Sequence, residues 1–329
     1  MISSDISART TAYADLNLLK RATANNILGR WGQPRTLPKK KSTTITFRRY
    51  TALDSTPVVL QEGVTPTGKS RSYTDYTGYL YQFGDFIRYT DVIKDTHEDP
   101  ILNDNIEALG DQADEMMDKM RFGVLKAGSN VVFANGTERA HVNQVVSRDL
   151  VRTVVRTLEG QKARFLSQMI TGGAKINTYP IPEAYVAACH TDLRPDIERC
   201  VGFKDPSEYA ANMGMIPGEI GSVGKVRFIG DTNCEPWEDG GAAKAGAGYN
   251  TLSTTGVSSD VYPILVFGKD AYGVIPLAGM NAMETLIHNP SPGDSDPLAQ
   301  RGSQGWKGYN GCVILNDSWM LRLEVAAKG

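Results

Sequence analysis

Few residues in this chain of 329 have the types and spacing that chemistry requires. Gly221-Ser222-Val223-Gly224-Lys225 comes near the GxxxxGK[ST] loop, whose backbone amides and lysine cradle phosphates. Glu219 stands at its first glycine position and Val226 where the hydroxyl should follow, so no phosphate loop is expected. Neither a GxGxxG fingerprint nor a GxSxG elbow occurs. His97, His141, His190 and His288 are isolated, with no HExxH. Cys189-His190 is the one close pair of soft ligands, and a metal would need two more from afar. Cys189 is expected in the core and His190 at the start of the next helix. Cys200, Cys234 and Cys312 show no CxxC spacing and are expected as unpaired thiols. Glu107, Asp111 and Asp114/Glu115 share a helix face and could bind a hard cation or do acid–base work. A solvated or partner-facing acidic stripe fits the same spacing and is the reading adopted. No catalytic residue, cofactor or metal is expected, and the protein is expected not to be an enzyme.

The elements around these residues point elsewhere. Residues 42–90 read as two extended strands running out to a Pro/Gly-rich tip and back. Thr44-Ile45-Thr46-Phe47-Arg48-Arg49-Tyr50 leads out, continuing through Val58-Val59-Leu60. The tip runs from Gln61-Glu62-Gly63 through Pro66 to Lys69-Ser70. On the return, Tyr73, Tyr79, Tyr81, Phe83, Ile87 and Tyr89 share one parity, which is strand spacing. The segment holds 9 of the chain's 27 aromatic residues. A lone two-stranded ribbon is marginal in water, and a long aromatic face needs a partner surface. A second copy of the same chain is the economical partner. Lys69 at the tip could in principle form an isopeptide bond with a neighbour's Asn, which denaturing gels would show as multiples of 35.8 kDa.

Charge is unevenly placed. Residues 30–49 carry Arg30, Arg35, Lys39, Lys40, Lys41, Arg48 and Arg49 and no acid, while 91–119 carry ten acids against two lysines. Such asymmetry suits copies whose opposite patches meet, or a face turned to a polyanion. Residues 31–41 read as an extended arm, because proline blocks helix and the lysines repel. The clearest helix spans 100–126. Asp99 caps it, Pro100 opens it, and Leu102, Ile106, Leu109, Ala113, Met116, Met120 and Val124 form one face. Its length would be roughly 39 Å. Ser147 caps a second helix, a short helical piece follows at 163–170, and Val223–Ile229 and Val261–Phe267 read as strands. Cys312–Leu315 and Met320–Val325 read as a closing pair. The Gly/Ala- and Ser/Thr-rich stretch 240–260 is expected to be a mobile surface loop. No apolar run could span a membrane, and no basic-then-apolar leader opens the chain.

Several stretches occur together in a telling order: Thr46-Phe47-Arg48-Arg49-Tyr50 and Leu60-Gln61-Glu62-Gly63-Val64-Thr65-Pro66, then Tyr81-Gln82-Phe83-Gly84, then Pro182-Glu183-Ala184-Tyr185-Val186 with His190-Thr191-Asp192. Gly218-Glu219-Ile220-Gly221, Val266-Phe267-Gly268-Lys269-Asp270-Ala271-Tyr272-Gly273, Asp296-Pro297-Leu298 and Gly305-Trp306-Lys307 complete the series. In this order they resemble the N4-like family of tailed-phage major capsid proteins, which is similar to the HK97-type capsid fold.

The resemblance implies an α+β subunit with an N-terminal arm (1–41), an extended β-hairpin loop (42–90) and a peripheral domain (91–178) holding the spine helix. An axial domain (179–300) and return strands of the peripheral domain (301–329) follow. It implies hexamers and pentamers of an icosahedral shell that encloses double-stranded DNA without sequence specificity. A separate scaffold, portal and decoration proteins would be further partners, with no membrane. The subunit would reside in the virion capsid after assembly in the bacterial host cytoplasm. Contacts between subunits would fall on Phe47, Arg49, Gln61, Glu62, Pro66, Lys69, Tyr73, Tyr79, Tyr81 and Phe83. Arg30, Arg35, Lys39, Lys40 and Lys41 would face DNA or a partner. An encapsulin-like compartment around a cargo enzyme shares the fold and is the alternative.

Overall fold

The computed structural model describes residues 27–38, 40–65, 68–96, 101–170, 178–209, 216–244, 250–276, 283–292 and 296–329. Along them run strands β1 (Gln33–Pro34), β2 (Thr44–Tyr50), β3 (Tyr73–Tyr79), β4 (Tyr81–Thr90), β5 (Val131–Phe133), β6 (Leu166–Ile170), β7 (Thr178–Cys189) and β8 (Phe203–Lys204). Then come β9 (Glu219–Val223), β10 (Val226–Gly230), β11 (Val261–Phe267), β12 (Tyr272–Val274), β13 (Met283–His288), β14 (Arg301–Asn310), β15 (Cys312–Ile314) and β16 (Met320–Ala326). The α-helices are α1 (Asp91–Thr96), α2 (Ile101–Lys126), α3 (Arg148–Gly160) and α4 (Arg194–Glu198).

The core is a large mixed sheet in the order β5-β16-β11-β7-β10-β9-β8, with β6 beside β7. Its central strands are apolar on both parities because both faces are covered. Tyr185, Ala187 and Cys189 of β7 face α3 and α4, meeting Val151, Val154, Leu158 and Ile197. Val186 and Ala188 face the other way, towards Phe122 and Leu125 of α2 and towards Leu28 and Trp31. Ser147 begins α3 as predicted, its hydroxyl accepting the Leu150 N–H at 3.4 Å.

Helix α2 joins this core to a second layer. Its amino-terminal half lays Ile106, Leu109, Ala113 and Met117 on Trp306, Phe83 and Ile87 of the sheet β13-β14-β4. The predicted helix and α2 agree to one residue at the start, although Asp99 and Pro100 lie outside the described residues. So does His97. A third sheet, β1-β12-β15, and the hairpin β2-β3 complete the architecture.

Four expectations are corrected. Residues 166–170 form strand β6 and not a helix, because pairing with β7 overrides local propensity. β15 and β16 are not partners: β15 pairs β12, while β16 lies between β11 and β5. Sheet membership therefore crosses the expected domain limits, since residues 131–133 and 320–326 share the sheet of 178–189, and 283–288 joins 301–310. The described part of 240–260 is tied down by polar bonds in place of an apolar core. Asp260 Oδ1 accepts the Asp239 and Thr254 N–H groups, and Thr251 and Ser259, both buried, bond at 2.7 Å.

Candidate assembly surface

The ribbon has a built base and a bare end. In β2 and β3 alternate residues face the body: Ile45, Phe47 and Arg49 from one strand, Tyr76 and Gly78 from the other. Phe47 is only 4% exposed and packs with Leu37, Ile275 and Leu315. Glycine at 273 makes this seat possible, because a Cβ there would stand 2.8 Å from Phe47 Cζ. Arg49 donates to Asn316 Oδ1 at 2.7 Å and lies over the Trp319 ring. Phe47, expected at the contact between copies, is buried within the chain, while Arg49 stays exposed alongside its bond to Asn316.

The outer face is polar and aromatic. Arg48 makes a bidentate pair with Asp75 at 2.8 and 2.9 Å and stacks over Tyr73, and it holds the Asp75 carboxyl below its usual range. Arg71 covers Tyr50, whose ring meets Tyr73 edge-on at 6.4 Å. Beyond Tyr50 the ladder ends after one more bond, from Thr51 N–H to the Ser72 carbonyl at 2.9 Å, so 52–60 is not the expected continuation of the strand through Val58-Val59-Leu60. There Val58, Val59, Leu60 and Val64 are 61, 89, 71 and 61% exposed. Gln61 and Glu62 are exposed beside them, while Pro66 lies outside the described residues. Lys69 clamps the limbs together, donating to the carbonyls of Asp54 and Thr56 at 2.6 and 3.3 Å.

The return aromatics do not form one face. Tyr73 and Tyr79 belong to the hairpin and are exposed. At Leu80 the chain changes sheet. In β4, Tyr81 stays exposed, Phe83 and Ile87 turn onto α2, and Tyr89 is buried with its hydroxyl donating to Asn289 Oδ1 at 3.1 Å. Within the chain that half packs on α2, and Phe83 is half-buried there.

The basic arm also divides. Arg30 is buried beside Asp118 and Asp114, so its charge is met inside the chain. Arg35 is exposed over Phe47, and its N–H donates to the Val274 carbonyl. Lys40 and Lys41 are exposed, and Lys39 lies outside the described residues. The acidic stripe is likewise half interior. Asp114 and Asp118 are buried with Arg121, and burial pushes the Asp114 carboxyl up to about 8.

Among the isolated candidates, Cys189 is buried and His190 begins the next turn, its Nδ1 accepting the Asp192 N–H. All four thiols are unpaired. The stretch 221–225 is the end of β9 and its turn into β10, with Gly224 of the turn at φ 62°. The formal GxxxxGK[ST] spacing does occur, at Gly63-Val64-Thr65-Pro66-Thr67-Gly68-Lys69-Ser70, and corrects the expectation of none. A phosphate loop needs a strand before it and a helix after it. Residues 68–72 lead into strand β3, and the Lys69 ammonium is engaged by Asp54 and Thr56. The spacing lacks the required context.

No family model matches the chain. The major capsid protein of Pseudomonas phage KPP21 is 24% identical over 271 residues, which covers 76% of this chain and 67% of that protein. The capsid of Ralstonia phage GP4 superposes with a TM-score of 0.69 at 12% identity, covering 93% of this chain and 92% of the other. The capsid of cyanophage Pam1 gives a TM-score of 0.59 at 13% identity over 88% and 87%. The chain therefore has the fold of phage capsid subunits. That fold is the HK97-type α+β architecture, with α2 as its spine helix.

Proposed function

We infer that the chain is a phage major capsid protein, a subunit that self-assembles into an icosahedral shell. The supporting observation is the union of a capsid fold over 93% of the chain with a ribbon whose apolar end, 58–64, is unburied in the single subunit. A run of exposed valine and leucine this long marks an interaction surface. Gln61, Glu62, Val59 and Leu60 at the end, with Tyr73, Tyr79 and Tyr81 along the side, are the residues that would meet a neighbouring copy. Interfaces of obligate assemblies exceed about 2,000 Å², so subunit stability and assembly would be coupled.

The large sheet with α3 and α4 would serve as the axial domain around which hexamers and pentamers close. The sheet β13-β14-β4 with α2 would serve as the peripheral domain. The role is structural and not enzymatic. The shell would enclose double-stranded DNA in the virion after assembly in the host cytoplasm, with a separate scaffold, portal and decoration proteins as partners. Arg35, Lys40 and Lys41 would contact phosphates without reading sequence. No helix among the described residues is long and apolar enough to cross a membrane. Electron microscopy of the purified chain tests the reading: capsomers or closed shells support it, and a monomer that persists at all concentrations overturns it.

A further inference from the structure

A cleft of 630 Å³ opens between α2, the Pro217-Gly218 turn and the loop that follows β10. Asp111, Asp114, Glu115 and Asp231 line it, and among the described residues no basic side chain does. Asp114 and Asp231 are only 3% and 6% exposed. One oxygen of each, Asp114 Oδ1 and Asp231 Oδ2, has no hydrogen-bond partner among the described residues. The charges that act on Asp114 are Asp118, Arg121, Arg30 and Asp231; those on Asp231 are Asp118 and His190. Neither Arg30 nor Arg121 lines the cleft. Buried acceptors without donors are costly, so this arrangement suits a group that brings donors and positive charge.

The chain itself passes the mouth. Ile27 lines the cleft, and its N–H donates to Asp118 Oδ2 at 2.9 Å. Residues 1–26 precede it, with Arg21 six and Lys20 seven positions upstream. Six extended residues reach about 20 Å, ample to return a side chain into the cleft. We propose that the cleft is a docking site for a basic side chain of this chain's own first 26 residues, Lys20 or Arg21, which latches the amino-terminal segment to α2 and the β10 loop.

Zero-length carbodiimide coupling of the full chain tests this. Unlabelled and ¹⁵N-labelled subunits are mixed before coupling, and cross-linked peptides are mapped. An Arg21→Lys protein runs in parallel so that either position is readable. The expected result is an amide from Lys20, or from the lysine at 21, to Asp111, Glu115 or Asp231 within one isotopic chain. Its yield should be at least tenfold above coupling to carboxylates outside the cleft. Coupling only elsewhere, in both proteins, overturns the proposal. So does coupling only between chains of different label, which would assign the cleft to a second copy. Neither outcome depends on whether shells form.

Discussion

Replacing Val59 and Leu60 together by aspartate should abolish assembly while leaving the subunit folded. Both side chains lie beyond the last ladder bond of β2, at 89 and 71% exposure, and neither supports the core. Exposed substitutions of this kind change subunit stability by about 0.5 kcal/mol or less. In a shell the same residues are buried against a neighbour. Full burial of a valine or leucine side chain is worth about 1.5–3 kcal/mol, so the pair contributes about 3–6 kcal/mol per contact. Each 1.4 kcal/mol is about a factor of ten, so the concentration needed for assembly should rise at least about 100-fold. Light scattering against concentration reads that shift, and thermal melting of dilute subunits by circular dichroism checks the fold. An assembly concentration within about threefold of the parent would refute the reasoning. So would a melting loss in the dilute subunit that accounts for the failure to assemble.

Phe47→Ala should act in the opposite compartment: its ring is interior, so the dilute subunit itself should lose about 3–5 kcal/mol in a urea melt. Glu324→Gln should cost a similar amount, about 3–5 kcal/mol by the same melt. The fully buried Glu324 carboxylate accepts from Arg139 at 2.7 and 2.9 Å and from Arg322 at 2.8 Å, and the amide would leave both guanidinium groups without their counter-charge. Asp114→Asn should flatten the pH dependence of stability. Burial raises this carboxyl to about 8 in the folded chain, so its contribution is complete below the ordinary carboxyl value and is lost as pH climbs towards 8. The unfolding free energy of the parent should therefore fall between pH 5 and pH 8, by up to about 1.4 kcal/mol per pH unit, with its melting temperature falling in step, and the variant should fall less. A parent that gains stability with pH over that range would contradict the assignment.

How far the sequence could be read follows from what each signal measures. Helix α2 was legible to one residue because its periodicity is strong. Its buried stripe was legible only as far as Ala113; beyond it Met117, Phe122 and Leu125 are interior in place of the expected Met116, Met120 and Val124, together with Asp114, Asp118 and Arg121, whose charges act on one another and on Arg30. Charged residues read as solvent-facing unless a partner is known, and these partners are distant in sequence. The aromatic parity of 73–89 was real but was interrupted at Leu80, where one strand ladder gives way to another; nothing local marks that change. Phe47 looked like its exposed neighbours because the pocket that takes it is built from residues 37, 275 and 315. Val58, Val59 and Leu60 read only as more of the outgoing strand, and their exposure shows in the structure because no distant pocket takes them as it takes Phe47.

Hydrogen exchange of residues 51–64, compared between dilute subunits and the assembled particle, bears most directly on the claim that sister copies complete the ribbon. Fast exchange in the subunit and at least tenfold slower exchange after assembly is the predicted result. Equal exchange rates in both states would contradict it, as would protection already present in the isolated subunit.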